Sequence, residues 1–186
     1  AKVEFPTTVT TIGNNAFDGC TQLATITNWG KTPQIGNQAF KSTGFTTIEI
    51  PSDTTSIGLQ AFIGCTQLKE VIYKGTTNPT CSTNVFDSSV THIEVEFTYT
   101  ETTNFCGKQA RTKGACDSTL KNENICKYEY LHVDKSLSFT GTGAMNTYSA
   151  KGAPWYAKYD KISSVSITGI TSIGNYALYG CTAFTS

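Results

Sequence analysis

Charge, long apolar runs and histidine are all scarce in this chain, and each scarcity argues against a class of function. Lysine plus arginine and aspartate plus glutamate both number 14, so no net field attracts nucleic acid or an anionic membrane surface. No apolar run approaches the roughly 20 residues that cross a bilayer. The two histidines, His92 and His132, lie outside any recognisable nucleophile or metal motif. The sequence therefore predicts no enzyme, no metal site, no cofactor and no membrane span.

A signal peptide and an Asn-x-Ser/Thr glycosylation acceptor are also absent from the sequence. The first residues read like the middle of a longer sequence, and the last ones stop inside a repeated pattern. We therefore expect a part of a longer protein, for which a missing signal peptide says little about location. The missing acceptor is a small point against secretion.

One pattern, I-G-x-x-A-F, recurs along the chain. Its aromatic residues Phe17, Phe40, Phe62 and Phe86 are 23, 22 and 24 residues apart. An L-x-x-I-x-I triplet follows each copy, and the period with such a triplet is typical of a leucine-rich repeat. A late copy shows the same order, with Ile173-Gly174 and Ala177-Leu178.

The spacing predicts a solenoid, because one unit cannot close a core and stacked units form a continuous one. Threonine favours strands, and glycine and asparagine favour turns, so the coils should be mainly β. The glycine after each Ile fits a corner where a side chain would clash or where φ is positive.

The repeat pattern divides the chain into four predicted segments. Coils of about 22–24 residues occupy 1–97, a Cys-bearing cap or island follows at 98–130, and a β-rich lead-in covers 131–161. A second block of coils begins at 162–186. Alternation at Leu131/Val133 and Leu137/Phe139 predicts a hairpin in the lead-in, and Trp155 should plug the end of the next core.

The first copy, with Phe5-Pro6, Val9-Thr10, Ile12-Gly13, Ala16-Phe17, Gly19-Cys20 and Leu23, resembles the BspA-like leucine-rich repeats. The stretch Leu137 to Tyr156 is similar to a lead-in segment of the same family. Members are mostly secreted or cell-surface proteins of host-associated bacteria and parasitic protists. The resemblance implies adhesion or binding to host proteins, and it supplies no catalytic residues.

Three of the seven cysteines, Cys20, Cys65 and Cys181, occupy the same slot, three residues after the repeat aromatic position. The coil between the first two carries Thr43 there. Coils stack about 4.8 Å apart, so Cys20 and Cys65 should be roughly 10 Å apart. A disulfide needs Cα atoms within about 7 Å. The three are therefore predicted to be buried free thiols.

The other four cysteines, Cys81, Cys106, Cys116 and Cys126, lie in a loop-rich stretch. Two disulfides with three possible pairings are one interpretation, and they would indicate an oxidising compartment. A zinc site is a second, although the gaps lack close C-x2-4-C spacing. Free thiols are the third.

The candidate site is the concave, outward strand face of the solenoid, since residues flanking the inward triplet positions point away from the core. Its predicted members are Thr25, Thr27, Trp29, Thr47, Glu49, Glu70, Ile72, Lys74, His92, Glu94 and Glu96. Trp29 and Ile72 would be apolar anchors with a polar rim. The three glutamates at the far end, Glu70, Glu94 and Glu96, favour a basic partner. The simpler interpretation is an ordinary solvated strand face, with Trp29 covered by a neighbouring segment.

Two functions remain open from the sequence. The first is a non-enzymatic protein-binding module at the cell surface or outside the cell, acting through this face on an unknown protein. The second is a structural repeat protein that self-associates, because the ends of a solenoid present unpaired edges. A cytoplasmic location is compatible with this second function.

Overall fold

The computed structural model describes residues 1–31, 34–101, 103–117 and 119–183. In order along the chain, its elements are β1 (Lys2–Glu4), β2 (Thr11–Ile12), β3 (Thr25–Asn28), β4 (Gln34–Ile35), β5 (Thr47–Ile50), β6 (Ser56–Ile57), β7 (Glu70–Tyr73), β8 (Thr80–Cys81), β9 (His92–Val95), β10 (Gln109–Ala115), β11 (Cys126–Leu131), β12 (Ser136–Gly141), a 3-10 helix (Pro154–Lys158) and β13 (Ser164–Thr168). The predicted mainly-β repeat fold is confirmed.

The chain divides into two units, Ala1–Ala110 and Arg111–Ser186. The four segments predicted from the sequence are finer than these units, and their boundaries remain predictions. The unit boundary lies inside the predicted cap at 98–130.

In the first unit, successive coils add one strand to each of two parallel ladders. The two-residue strands β2, β4, β6 and β8 pair in that order. The longer strands β5, β7 and β9 pair in register, for example Ile48 with Val71 and Val71 with Ile93. These inward residues are buried, which is the arrangement that the triplets predict.

A stack of phenylalanine rings fills the first unit between the ladders. The rings of Phe17, Phe40, Phe62 and Phe86 follow one another at 5.2, 5.3 and 5.4 Å between centroids, with planes within 13° of parallel. This separation is close to the roughly 4.8 Å spacing of paired strands, so each coil contributes one ring. Phe40 and Phe62 have no exposed surface.

Each coil turns at a residue two positions before its aromatic slot. Asn15, Gln38, Gln60 and Asn84 have φ values of 57°, 52°, 56° and 52°, and Tyr176 of the late copy has 58°. A non-glycine residue rarely adopts this conformation, so its recurrence identifies the same corner in both units. Side-chain amides join the corners of the first unit, from Asn15 to Gln38 at 3.0 Å and from Gln38 to Gln60 at 2.9 Å.

In the second and third coils, the glycine after the Ile is needed for close approach and not for a positive φ. A Cβ on Gly36 would lie 2.7 Å from the backbone nitrogen of Asn14, and one on Gly58 would lie 2.6 Å from that of Asn37. The structure thus decides between the two explanations that the sequence left open. Gly13, in the first coil, would meet nothing within 4 Å.

Replacing Gly58 by alanine is expected to lower the free energy of unfolding of the first unit by about 2 kcal/mol, because backbone must shift to admit the methyl group. Gly13→Ala is the matched control and should change it by less than about 0.5 kcal/mol. Urea unfolding of both variants measures the difference. Equal effects of the two substitutions would contradict the close-approach explanation.

The second unit opens with an antiparallel arrangement. Strand β11 pairs antiparallel with β10 and with β12, and β12 pairs parallel with β13. The predicted hairpin is confirmed, although Leu131 and Val133, whose alternation suggested it, are not the buried positions of that segment. Tyr130 lies opposite Leu137, so Tyr130 is buried on the face of Leu137, whereas Leu131 is only half-buried.

Trp155 closes the core of the second unit. Its ring lies 4.8 to 5.3 Å from the rings of Phe139, Tyr128 and Tyr148, and it is 1% exposed. Its indole N–H donates to the carbonyl of Ala177 at 2.7 Å. This contact with the I-G-x-x-A motif of the late copy fulfils the predicted plugging role.

His132 is buried in the second unit. Its Nε2 lies 2.9 Å from the Thr112 hydroxyl, and its ring lies edge-on to Tyr130 at 4.8 Å. Burial, together with the Lys158 ammonium, lowers the pKa of His132 to about 4 from a usual value of 6.5. The histidine is therefore neutral in the folded protein.

Between pH 7 and pH 5 the unfolded chain takes up a proton at His132 and the folded chain does not, so acidification destabilises the second unit. The free energy of unfolding is expected to fall by about 2 kcal/mol over that range, and the full effect is reached only below pH 4. His132→Gln should remove most of this dependence, and His92→Gln, in the first unit, serves as the control substitution. Urea unfolding at several pH values measures this pH dependence. If His132→Gln showed the same pH profile as the unmodified chain, the assignment of the effect to His132 would be refuted.

Candidate interaction surface

The outward face of β5, β7 and β9 carries most of the predicted site residues. Alternation buries Ile48, Val71 and Ile93 and turns their neighbours outward. The outward members are Thr47 and Glu49 on β5, Glu70 and Ile72 on β7, and His92 and Glu94 on β9. Lys74 and Glu96 follow directly after the ends of their strands and are exposed.

Strand register brings these residues together in rows. Glu49 lies opposite Ile72, and Ile72 lies opposite Glu94, so one aliphatic side chain lies between two carboxylates. Thr47 lies opposite Glu70 in the adjacent row. Residues opposite each other on one sheet face have Cβ atoms about 5 Å apart, and the two rows thus form one continuous surface.

Lys74 connects two of the carboxylates at the edge of this face. Its Nζ lies 4.0 Å from Oε2 of Glu49 and 3.6 Å from Oε1 of Glu96. All three side chains are exposed, at 41%, 59% and 62%. Exposed ion pairs of this kind contribute little to stability, so the fold does not need them. With Glu70 and Glu94, the predicted members of the face include four carboxylates and one ammonium group.

Thr25 and Thr27 are exposed but belong to a different sheet. Their strand, β3, pairs with β1 in a separate two-stranded sheet, whereas β5 pairs with β7 in another sheet. The predicted column of outward residues is therefore divided between β3 and β5.

The prediction that Trp29 points outward is wrong. The register of β1 and β3 shifts by one residue, since Val3 lies opposite Ile26 and Glu4 opposite Asn28. This irregularity reverses the alternation, and Trp29 turns inward. Its ring packs against Phe5 at 6.4 Å and Phe40 at 5.7 Å, and the residue is 9% exposed. Trp29 is a core residue and leaves Ile72 as the apolar member of the face.

The cysteines fall into the two predicted groups. Disulfides join Cys81 to Cys106 in the first unit and Cys116 to Cys126 in the second. Of the three pairings open from the sequence, the structure selects this one.

Cys20, Cys65 and Cys181 are free thiols. Cys65 is buried as predicted, its Sγ donates to the carbonyl of Phe40 at 3.1 Å, and burial raises its pKa. The prediction of burial is wrong for Cys20, which is exposed, and Cys181 is only partly buried. Cys65 has a coil on each side, whereas Cys20 lies in the first of the stacked corners and has a described neighbour on one side only.

Two surface depressions escaped the sequence reasoning. An open groove of about 420 Å³ runs along the outward residues of β2, β4, β6 and β8, which are Thr11, Gln34, Ser56 and Thr80. Their 22 to 24-residue spacing was a usable signal. An apolar hollow of about 440 Å³ lies against the first coil, lined in part by Val3, Phe17 and Leu23. No local pattern marks it.

Residues 1–31, 34–101, 103–117 and 119–183 contain no group of three or more His, Cys, Asp or Glu side chains placed to hold a metal ion. Within them, no helix has the length and apolar character needed to cross a membrane.

Residues 1–110 match the family profile described as a BspA type Leucine rich repeat region, in six copies. None of the curated proteins matches the chain in sequence. Among solved structures, the chain is similar to a leucine-rich repeat protein from Bacteroides ovatus ATCC 8483, with 14% identity and a TM-score of 0.26. The match covers all of this chain and 65% of that one, and so low a TM-score carries no weight for the fold.

Proposed function

Since this chain belongs to the BspA-type leucine-rich repeat family, in which repeats serve as protein-interaction modules, we propose that it binds a protein through the outward face of β5, β7 and β9. The observation that carries the proposal is the row Glu49–Ile72–Glu94, an aliphatic side chain set between carboxylates on a regular sheet. An apolar centre with a charged rim is the composition of a protein interface.

The chemistry of the face defines the partner. Four carboxylates against one ammonium group favour a protein that presents lysine or arginine side chains around an apolar contact. The ion pairs of Lys74 with Glu49 and Glu96 are exposed, so a cationic partner can displace Lys74 at small cost. The proposal gives the chain no catalytic role, in keeping with a family that is generally non-catalytic.

The proposed setting is the cell surface or the extracellular space, where the activity would be adhesion or binding of a host protein. The family is typically extracellular or surface-associated. The two disulfides support the same setting, because such bonds persist in oxidising compartments.

Ile72→Lys tests the proposed face, and Leu59→Lys is its matched control, since Leu59 is an exposed aliphatic side chain (39%) outside the face. Immobilised chain is probed with purified host surface and matrix proteins by surface plasmon resonance. Ile72→Lys should raise the dissociation constant of a captured protein about tenfold or more, which corresponds to ~1.4 kcal/mol of binding free energy. Leu59→Lys should bind like the unmodified chain, and rising salt should slow association.

Two results would reject the proposal. One is equal binding by Ile72→Lys and the unmodified chain to every protein that the chain captures. The other is equal loss in both lysine variants, because that would place the contact elsewhere.

A further inference from the structure

The ladder formed by β2, β4, β6 and β8 presents a polar row that the proposed protein-binding face does not use. Strand register gives each coil one side chain in this row. Thr11 lies opposite Gln34, and Gln34 lies opposite Ser56. Ser56 in turn lies opposite Thr80. The isoleucine that follows each of the first three is at most 3% exposed, so alternation along the strand turns the polar row outward.

The polar row borders the groove of about 420 Å³ described above. The glycine that follows each of these isoleucines lines the groove without filling it, because it has no side chain. Asn14 and Asn37 also line the groove and are held in place by the fold. The Oδ1 atom of Asn14 accepts from the backbone N–H of Asn37 at 2.8 Å, and that of Asn37 accepts from Leu59 at 2.8 Å. The lining is therefore preformed.

The row has hydrogen-bonding capacity left for a ligand. Within the ranges that the structure describes, the side chains of Thr11, Gln34, Ser56 and Thr80 make no hydrogen bond to the protein. Ser56 is half-buried and the other three are exposed. Each hydroxyl can donate and accept, and the amide of Gln34 can do both. A ligand that supplies both kinds of group can replace the water on this row.

The charge of the lining restricts the ligand. The described residues that line the groove are threonine, serine, asparagine, glutamine, isoleucine and glycine, and none of them is charged. A charged ligand would lose hydration here without meeting a group of opposite charge. A neutral, hydroxyl-rich ligand exchanges its hydrogen bonds with water for bonds with the row.

The spacing of the coils restricts the shape of the ligand. A chain that lies along the groove meets one equivalent position per coil, about every 4.8 Å between paired strands. The rings of the phenylalanine stack give a similar repeat, 5.2 to 5.4 Å. An extended β-1,4-linked sugar chain advances by nearly this distance per sugar. An extended peptide advances about 3.3 Å per residue, or about 6.6 Å between side chains on one face, and loses register within two coils.

From the polar row, the uncharged lining and the coil spacing, we propose that this groove binds a neutral, extended β-linked oligosaccharide, with one sugar on each coil. The four positions from Thr11 to Thr80 span about 14 Å, which accommodates four sugars. Sugar hydroxyls bond to the row, and the glycines admit the sugar rings close to the backbone. Ile72 lies on a different sheet, so sugar binding and protein binding are separate activities of the first unit.

Isothermal titration calorimetry of the purified chain with cellohexaose, mannohexaose, xylohexaose and chitohexaose tests the proposal. At least one should bind with a dissociation constant on the order of 1 mM or tighter. The affinity is modest because the described lining offers hydrogen bonds and no aromatic ring. The corresponding disaccharide reaches only two coils and should bind about tenfold more weakly.

Gln34→Glu checks the location of the site, because it keeps the side-chain shape, removes two N–H donors and adds a charge. It should raise the dissociation constant for the sugar about fivefold or more, the effect of roughly one net hydrogen bond. Gln67→Glu is the matched control, since Gln67 is an exposed glutamine on an inner coil outside the groove. It should bind like the unmodified chain. Ile72→Lys should also leave sugar binding unchanged, which separates this site from the proposed protein-binding face.

Three results would overturn the proposal. The first is the absence of binding by all four hexasaccharides. The second is equal affinity of Gln34→Glu and Gln67→Glu for the sugar, because the contact would then lie outside the groove. The third is tighter binding of hexagalacturonate than of any neutral hexasaccharide, because the site would then select a charged chain.

Discussion

Replacing Phe62 by alanine is expected to lower the free energy of unfolding of the first unit by about 4 kcal/mol. The ring has no exposed surface and stacks on both sides, at 5.3 Å from Phe40 and 5.4 Å from Phe86. Its removal leaves a cavity that neighbouring coils cannot fill, because hydrogen bonds between coils fix their spacing. Urea unfolding followed by circular dichroism measures the loss.

Phe17→Ala is the matched control for this substitution. Phe17 stacks on Phe40 at 5.2 Å and contacts Phe5 at 5.8 Å, but it is only half-buried and borders the apolar hollow. The same change should therefore cost about half as much, on the order of 2 kcal/mol. If both variants lost equal stability, the stack would not be the continuous core described above.

Removing the disulfide between Cys81 and Cys106 is the second change with a large expected effect. The two residues are 25 apart in sequence. A cross-link that closes a loop of this size stabilises the folded state by about 3.5 kcal/mol, because it reduces the conformational entropy of the unfolded chain. The free energy of unfolding of the double variant Cys81→Ala/Cys106→Ala should be lower by that amount, and its urea unfolding midpoint should fall accordingly. Ellman titration under denaturing conditions gives the thiol count that accompanies it.

The thiol count shows whether the loss of stability comes from the missing bond between Cys81 and Cys106 or from the two substitutions themselves. The unmodified chain should show three reactive thiols without reductant, on Cys20, Cys65 and Cys181. The double variant should show the same three and lose less stability on reduction, because only the bond between Cys116 and Cys126 remains to be broken. Five or more thiols in the unmodified chain under oxidising conditions would contradict the pairing.

The repeat fold is predictable from the sequence because its signal is distributed over many positions. Each inward triplet residue and each aromatic recurs, so the loss of one, such as Asn28 in an apolar slot, does not hide the pattern. The predicted outward residues of β5, β7 and β9 follow from the same alternation. Their role in binding remains a proposal.

Trp29 and Cys20 show where this reasoning fails. A one-residue shift in the pairing of β1 and β3 turns Trp29 inward, and no local pattern in Thr25–Asn28 announces that shift. Cys20 shares its slot with buried Cys65, but burial depends on the coil beyond it and not on the slot. Both errors concern what lies next to a residue in space. The choice among three disulfide pairings was open for the same reason.

The corner amides have a consequence for how the protein changes over generations. The side-chain amides of Asn15 and Gln38 each donate to the equivalent residue of the next coil, and the phenylalanine rings stack on the equivalent rings. The two junctions among these three coils therefore use the same contacts. Duplication or excision of a whole coil reproduces an existing junction and creates no new one. The array can therefore change in length by whole coils without a new kind of contact between them.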